Sequence, residues 1–401
     1  MNEKIFKSMI PCCVVSPTTH ATGLGAIRSL AENKIPVVSF DWKKNSLGRF
    51  SNYCYSIVKD IDETESAIVN ALIDLGKQFS IKPVLFITSD ELTLILNNHR
   101  LQLREYFHFI VSEKNIVNNI VYKEKFYQIA AKSGIPIPKT WFIQTTEDFF
   151  KYKSAFVYPC IIKPTTSQPF RSIFGSKVLE IHTEYQYFEI QSQLQKHHIQ
   201  YILQEIIPGN ETRLYTFGSY SDKNANALSV FTGRKLRQFP PDYGGCRFGE
   251  SVYNKNLIQQ GKQVLKAFHF QGISQIEFKL DTRDGLFKLI ELNVRGWTWD
   301  YLATATGSNF YLTAYHDILG KKIKHTVTTH TGYLWHNMTE DLLNCIWLYK
   351  KHNYPGSRLS IIKWLQSFMG KKRVEAFFRW DDPFPFLYRS YLFIKNQILK
   401  S

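Results

Sequence analysis

The stretch QIEFKLDTRDGLFKLIELNVRGW, residues 275–297, constrains this chain most. Two apolar runs flank Arg283-Asp284-Gly285, which reads as a three-residue hairpin loop. Gly285 takes the left-handed position that the accompanying bulge requires. Thr282 then lies opposite Leu286, Lys279 opposite Leu289, and Glu277 opposite Glu291. Side chains alternate between faces, so Asn293 shares the face of Glu291. Ile276, Phe278, Ile290, Leu292 and Val294 point the other way, into a core. A two-residue loop would put the glutamates on opposite faces, so the register rests on Gly285. Directly opposed carboxylates destabilise a sheet. Either a positive group sits between them or one carboxyl is protonated. Two carboxylates and an amide oxygen are hard ligands, suited to Mg²⁺ held partly by substrate phosphates. This stretch alone fits equally well an exposed acidic face neutralised by Lys279 or Arg295.

A chain of 401 residues has room for two or three domains. With 44% hydrophobic and 21% charged residues it can bury ordinary globular cores. There is no internal repeat, no low-complexity tract and no apolar run of about 18 residues, so no membrane span is expected. The apolar run near the N-terminus is too short for a signal peptide and runs straight into a strand, which makes a cytoplasmic protein the expectation. Six cysteines without paired metal spacing fit buried thiols in a reducing compartment. His197-His198 has no second cluster to complete a metal site, no nucleophile elbow occurs, and nothing marks Cys246 as activated. The net charge is +16, and residues 321–401 carry 14 Lys and Arg against 5 Asp and Glu. Such a tail suits nucleic acid, anionic lipid or an anionic polymer, or simply solubility.

Residues 10–120 alternate strand and helix patterns: CCVVS, GLGAIRSLAENK, IPVVSFD, ESAIVNALIDLGKQF, PVLFITSD and DELTLILNNHRLQLREYF. That order predicts an α/β domain with an open, mostly parallel sheet over residues 1–120. Ligands of such sheets sit beyond the strand C-termini, here Ser16 to Gly25 and Thr88 to Glu91. Gly23 and Gly25 permit an anion site at a helix start, although simple turn chemistry explains them as well. From residue 121 a helix stopped by Gly134 leads into strands with few helices, an α+β pattern with antiparallel sheets to residue 320. A strand ends at Lys163-Pro164, followed by a polar loop, Thr165 to Ser176. In FTGRKLRQFPPDYGG, strand alternation would point Lys235 and Arg237 the same way. Residues 321–401 form a basic, aromatic-rich extension, expected to be helical.

The motif order over residues 10–315 resembles the ATP-grasp superfamily, specifically its carboxylate–amine ligases of the D-aspartate-ligase type. By that resemblance the first domain is of the pre-ATP-grasp type. Lys163 in CIIKP and Lys123 in VYKEKFYQIAAKSGIP match the two phosphate-binding lysines, with Lys125 as the competing alignment. Thr165 to Ser176, with Arg171, matches the flap over the phosphates. LQEIIPGNE matches the interdomain hinge: Gln204 and Glu205 toward adenine, the Ile207 backbone on the ring edge, Glu211 on the ribose. Glu277, Glu291 and Asn293 match the Mg²⁺ ligands. Many relatives carry an arginine where this chain has Gln275, which leaves Arg237 or Arg295 to meet transition-state charge.

The resemblance implies ATP and two Mg²⁺ ions, with Mn²⁺ as a substitute, and a small carboxylate and an amine as substrates. A carboxylate becomes an acyl phosphate, and the amine then displaces phosphate. The expected reaction is ADP-forming C–N ligation, with an amino acid joined to a cell-wall or capsule precursor. Alternatives are a peptide or amino-acid ligase of small-molecule biosynthesis, or a non-catalytic ATP-binding or nucleic-acid-binding protein, although no nucleic-acid module is present. The tail fits a helical cover over the core. It equally leaves open an anionic membrane surface or lipid-linked acceptor, with a peripheral place on the inner membrane face.

Overall fold

The computed structural model describes residues 5–143, 145–165, 167–241, 243–348 and 359–398. Four short strands, β1 (Cys13–Ser16), β2 (Val37–Asp41), β3 (Tyr55–Val58) and β4 (Val84–Ile87), pair in parallel in the order β3-β2-β1-β4. β1, β2 and β4 are buried along their whole length, as strands covered on both faces must be. Gly23 and Gly25 lie inside the first crossover helix, Ala21–Ala31. A Cβ on Gly23 would come 2.7 Å from the Pro17 carbonyl oxygen, and one on Gly25 2.9 Å from Asp300 Oδ1. These glycines serve close packing rather than a phosphate turn.

A second sheet is antiparallel, with β5 (Thr140–Phe142), β6 (Cys160–Pro164), β7 (Leu179–Ile181) and β8 (Tyr201–Glu205) in the order β5-β8-β6-β7. The polar loop expected between β6 and β7 is instead largely helix, Ser167–Phe174, while Thr166 lies outside the described residues. Phe170 and Phe174, one helical turn apart, pack their rings 4.7 Å apart against this sheet's core, and that apolar pair explains the helix.

The third sheet takes β9 (Leu214–Ser221), β10 (Ala227–Phe239), β11 (Gly245–Ser251), β12 (Gly272–Leu280) and β13 (Phe287–Asn293). Three short strands from beyond residue 320 join it: β14 (Thr326–Val327), β15 (Leu334–His336) and β16 (Arg373–Glu375). The order is β13-β12-β9-β10-β11-β15-β16, with β14 beside β10. The C-terminal part is thus helix and strand together, and it completes the large sheet.

The β12–β13 hairpin reaches the expected pairing by another route. Asp281 and Leu286 close a turn one residue longer than expected, so Lys279 pairs with Lys288 and Phe278 with Leu289. Gly285 is left-handed as expected, with φ +73°. A bulge then inserts Ile290, and beyond it Glu277 pairs with Glu291 and Gln275 with Asn293. The extra residue shifts the register back and takes Ile290 out of the core, onto the cleft wall described below. Ile276, Phe278, Leu289 and Leu292 fill the core behind the hairpin.

The C-terminal segment is fixed through a buried ion pair. Arg28 and Asp382 are both inaccessible to solvent, with Arg28 Nη2 2.9 Å from Asp382 Oδ2. Arg28 also donates to the Phe377 carbonyl, while Asp382 accepts from Ser51 Oγ at 2.9 Å and Asn52 N at 2.8 Å. Replacing Asp382 by Ala strands the arginine charge in the core, at a cost of about 3–5 kcal/mol. Urea unfolding should show that loss, and a midpoint unchanged from the parent protein would refute it.

Candidate functional site

The hairpin face, β10, the end of β6 and the start of helix Lys123–Lys132 converge on one cleft of about 440 Å³. Lys123, Lys163, Lys177, Lys235 and Arg295 line it together with Glu277, Glu291 and Asn293. The opposed glutamates are neutralised one by one. Lys123 Nζ lies 3.2 Å from Glu291 Oε1, and Lys235 Nζ 3.0 Å from Glu277 Oε1. Two ammonium groups therefore answer the electrostatic question that the hairpin poses, and neither Lys279 nor Arg295 does so. A divalent ion is not needed for the carboxylates to coexist.

Gln275 knits the face together. Its amide nitrogen donates to Glu277 Oε1 at 3.1 Å and Thr216 Oγ1 at 3.1 Å, and its oxygen accepts from Asn293 at 3.2 Å. Where an arginine would add charge, this chain has an amide that orients both neighbours.

Charge and burial set the protonation states. The Lys123 ammonium beside it holds the Glu291 carboxyl down at about 2, against the burial that opposes ionisation. Burial works against the Lys123 charge, but Glu291 outweighs it and raises the pKa. Lys235 likewise stays charged through Glu277 despite its burial. Lys163 differs. Burial, and then the neighbouring Lys123, lower its pKa to about 8, and its Nζ donates to Gln204 Oε1 at 2.6 Å. Of Lys123, Lys163 and Lys235 it is the one most easily stripped of its proton.

The sequence-predicted residues divide into groups. Lys123 is in the cleft, while Lys125 lies over the Tyr122 ring and does not line the cleft. Arg295 lines the cleft, and its Nη2 pairs with Asp90 at 2.9 Å, so a residue beyond β4 also reaches the site. Arg237 does not face it. A bulge between Lys235 and Arg237 breaks the alternation that would have aimed both the same way. Arg237 instead binds Asp341 at 2.5 Å and stacks over Phe248 at 3.9 Å. None of the hinge residues Gln204, Glu205, Ile207 and Glu211 lines the cleft, although Gln204 meets it by accepting from Lys163. Glu205 spends its carboxylate on the Lys139 N–H at 2.8 Å and on Arg283 at 2.9 Å, which leaves mainly backbone groups for a ligand at this strand edge. Arg171 stays exposed on its helix. Cys246 lines the cleft, but burial pushes its thiol up to about 12, which makes it unreactive.

Lys177, Gln238 and Trp297 also line the cleft, and no motif marked them, whereas Asp90 belongs to the Thr88 to Glu91 segment expected beyond a strand end. Among the described residues no group of three or more His, Cys, Asp and Glu could hold a metal ion. Two carboxylates and an amide oxygen are nevertheless a hard donor set that leaves coordination positions for water and phosphate, as Mg²⁺ prefers.

No family model matches the sequence. A D-aspartate ligase of Enterococcus faecium is 24% identical over 261 residues, a match covering 62% of this chain and 62% of that protein. In three dimensions the chain is similar to the Campylobacter jejuni biotin carboxylase, with TM-score 0.62, 17% identity, and 78% of this chain and 72% of that one covered. The Staphylococcus aureus N5-carboxyaminoimidazole synthetase complexed with ADP gives TM-score 0.62 at 13% identity, covering 86% and 87%. A Bacillus licheniformis L-amino acid ligase gives 0.55 at 15%, covering 77% and 74%.

A polyanion bound beside Lys163 stabilises its charged form. As pH rises through about 8 the free protein loses that charge, so tripolyphosphate should bind more weakly above this pH and binding there should draw in a proton. Calorimetry in buffers of different ionisation enthalpy measures the uptake. No uptake near pH 8.5 would remove Lys163 from the anion site. With three layers of sheet around a lysine-lined cleft, and with these structural neighbours, the chain has the ATP-grasp fold.

Proposed function

We propose that the protein is an ATP-dependent carboxylate–amine ligase. The observation that carries this reading is the meeting of Lys123, Lys163 and Lys235 with Glu277, Glu291 and Asn293 in one cleft. Three ammonium groups drawn from two sheets and a helix suit a polyphosphate, and the adjoining strand edge at Gln204 to Ile207, with Glu211 beyond it, suits a purine nucleoside. The likeness to the D-aspartate ligase and to the L-amino acid ligase supports an amino acid as the carboxylate partner. The likeness to an ADP-bound structure supports the nucleotide.

In this reading the substrate carboxylate attacks the terminal phosphorus of ATP. The bond to ADP breaks, and an acyl phosphate forms. The amine then attacks the acyl carbon, and inorganic phosphate leaves with the bonding pair. Carboxylate oxygen is a poor leaving group until it is phosphorylated, which is why ATP is consumed. Lys123 and Lys163 hold phosphate oxygens and spread the charge that moves between them. Arg295, braced by Asp90 in the same cleft, would meet the charge of the acyl phosphate. Glu277, Glu291 and Asn293 would hold Mg²⁺, which would supply positive charge to neutralise the phosphates. Our reading is two ions, replaceable by Mn²⁺. Lys123 and Lys235 would then turn from their glutamates to phosphate. We read the acceptor amine as part of a cell-wall or capsule precursor. The L-amino acid ligase neighbour favours a second reading, in which two amino acids are joined.

Release of ADP is to be measured over a panel of amino acids, each with and without amine acceptors. One carboxylate should stimulate ADP formation, and hydroxylamine should trap its acyl phosphate as a hydroxamate. Lys163→Met should lower turnover about 10²–10³-fold, as loss of a preorganised electrostatic donor does. ATP hydrolysis unaffected by that change, or no nucleotide binding at all, would overturn the proposal.

A further inference from the structure

Buried side chains of the C-terminal segment fix it to the body, yet its outer face is apolar. On helix Phe384–Ile398 the exposed residues Phe384, Leu387, Tyr391 and Ile394 follow one another at spacings of three and four. That period puts them on one stripe of the helix. Trp380, just before this helix, is 91% exposed. A second apolar group, Ile361, Ile362, Leu365 and Met369, is also exposed, with Ile362 at 68% and Met369 at 73%. Leu365 of this second group and Trp380 line the same apolar groove of about 930 Å³. A monomer seldom leaves so much contiguous apolar side chain in water.

Charge says what covers it. Lys363, Lys371, Lys372 and Arg373 are exposed along the shorter helix and the turn after it, and Lys395 beside the stripe of the longer one. No Asp or Glu occurs in 361–373 or 384–398, and of the acids between them Asp381 is paired with Arg379, Asp382 is buried with Arg28, and Glu375 accepts from backbone N–H groups of Met338 and Phe377. A second copy docked on this face would set lysines against lysines. An anionic bilayer takes both features at once, with lysines on the headgroups and Trp380, Leu387 and Tyr391 among the upper acyl carbons. Among the described residues no helix is long and apolar enough to cross a membrane, so the contact lies on one leaflet.

We infer that this face, built around Trp380 and the Phe384–Ile398 stripe and rimmed by Lys363, Lys371, Lys372 and Lys395, docks the protein on an anionic lipid surface. The contact is independent of the ligase reading, because it uses none of the cleft residues. If both hold, a lipid-borne acceptor would be met at the membrane.

Flotation of the full chain with phosphatidylcholine vesicles, with and without phosphatidylglycerol, tests the inference. The protein should float only with the anionic lipid. Each of Lys371→Gln and Lys372→Gln should weaken partition about fivefold. Trp380→Ser/Leu387→Ser should abolish flotation without shifting the thermal midpoint, since both side chains are exposed. Absent flotation, equal flotation with neutral lipid, or flotation indifferent to these variants would overturn the inference. So would a dimer in solution that the Trp380→Ser/Leu387→Ser variant dissolves, because a second copy would then own the face. Turnover on soluble substrates is to be followed in parallel, so that loss of docking is told apart from loss of chemistry.

Discussion

Two glutamates facing each other across a hairpin set the terms for everything around them. Their charges must be balanced, and the protein balances them with lysines drawn from other elements: Lys123 from a helix start and Lys235 from β10. Each pair is made of partners far apart in the chain, so the cleft exists only once the sheets have assembled. Gln275 joins Glu277 to Asn293 and keeps the oxygen face oriented. What results is a set of cations already assembled beside oxygen donors.

Lys163 shows why preassembly matters. Burial and the nearby Lys123 make its charge costly in the free protein, where its ammonium donates to the Gln204 oxygen. A group held in that condition gains most from an incoming anion. Arg295 serves differently. Its bond to Asp90 ties the parallel-sheet domain to the hairpin's exit and brings two elements to the same wall of the cleft.

Much of this was legible in the sequence, since local patterns govern it. The α/β alternation of the first 120 residues, the antiparallel sheets after it, the left-handed Gly285 and the pairing of Glu277 with Glu291 all follow from period and turn chemistry. The pairing came out right through two compensating departures, a longer turn and a bulge at Ile290. Bulges are where alternation fails, and a second one, after Lys235, turned Arg237 away to Asp341. The Lys235–Glu277 pair was not legible at all. It depends on the strand order β12-β9-β10, which no local pattern encodes. The helix Ser167–Phe174 was hidden among polar residues, because two phenylalanines one turn apart are a slight signal. The C-terminal strands were hidden by their shortness, three residues or fewer each.

The central claim is that the lysine–glutamate pairs are the resting form of a metal–nucleotide site. Calorimetric titration of ADP into the protein, in the presence and absence of Mg²⁺, tests it most directly. The account predicts that Mg²⁺ tightens ADP binding and that Glu277→Gln/Glu291→Gln abolishes that gain. ADP binding that ignores Mg²⁺, or a Mg²⁺ effect that survives the double substitution, would contradict it.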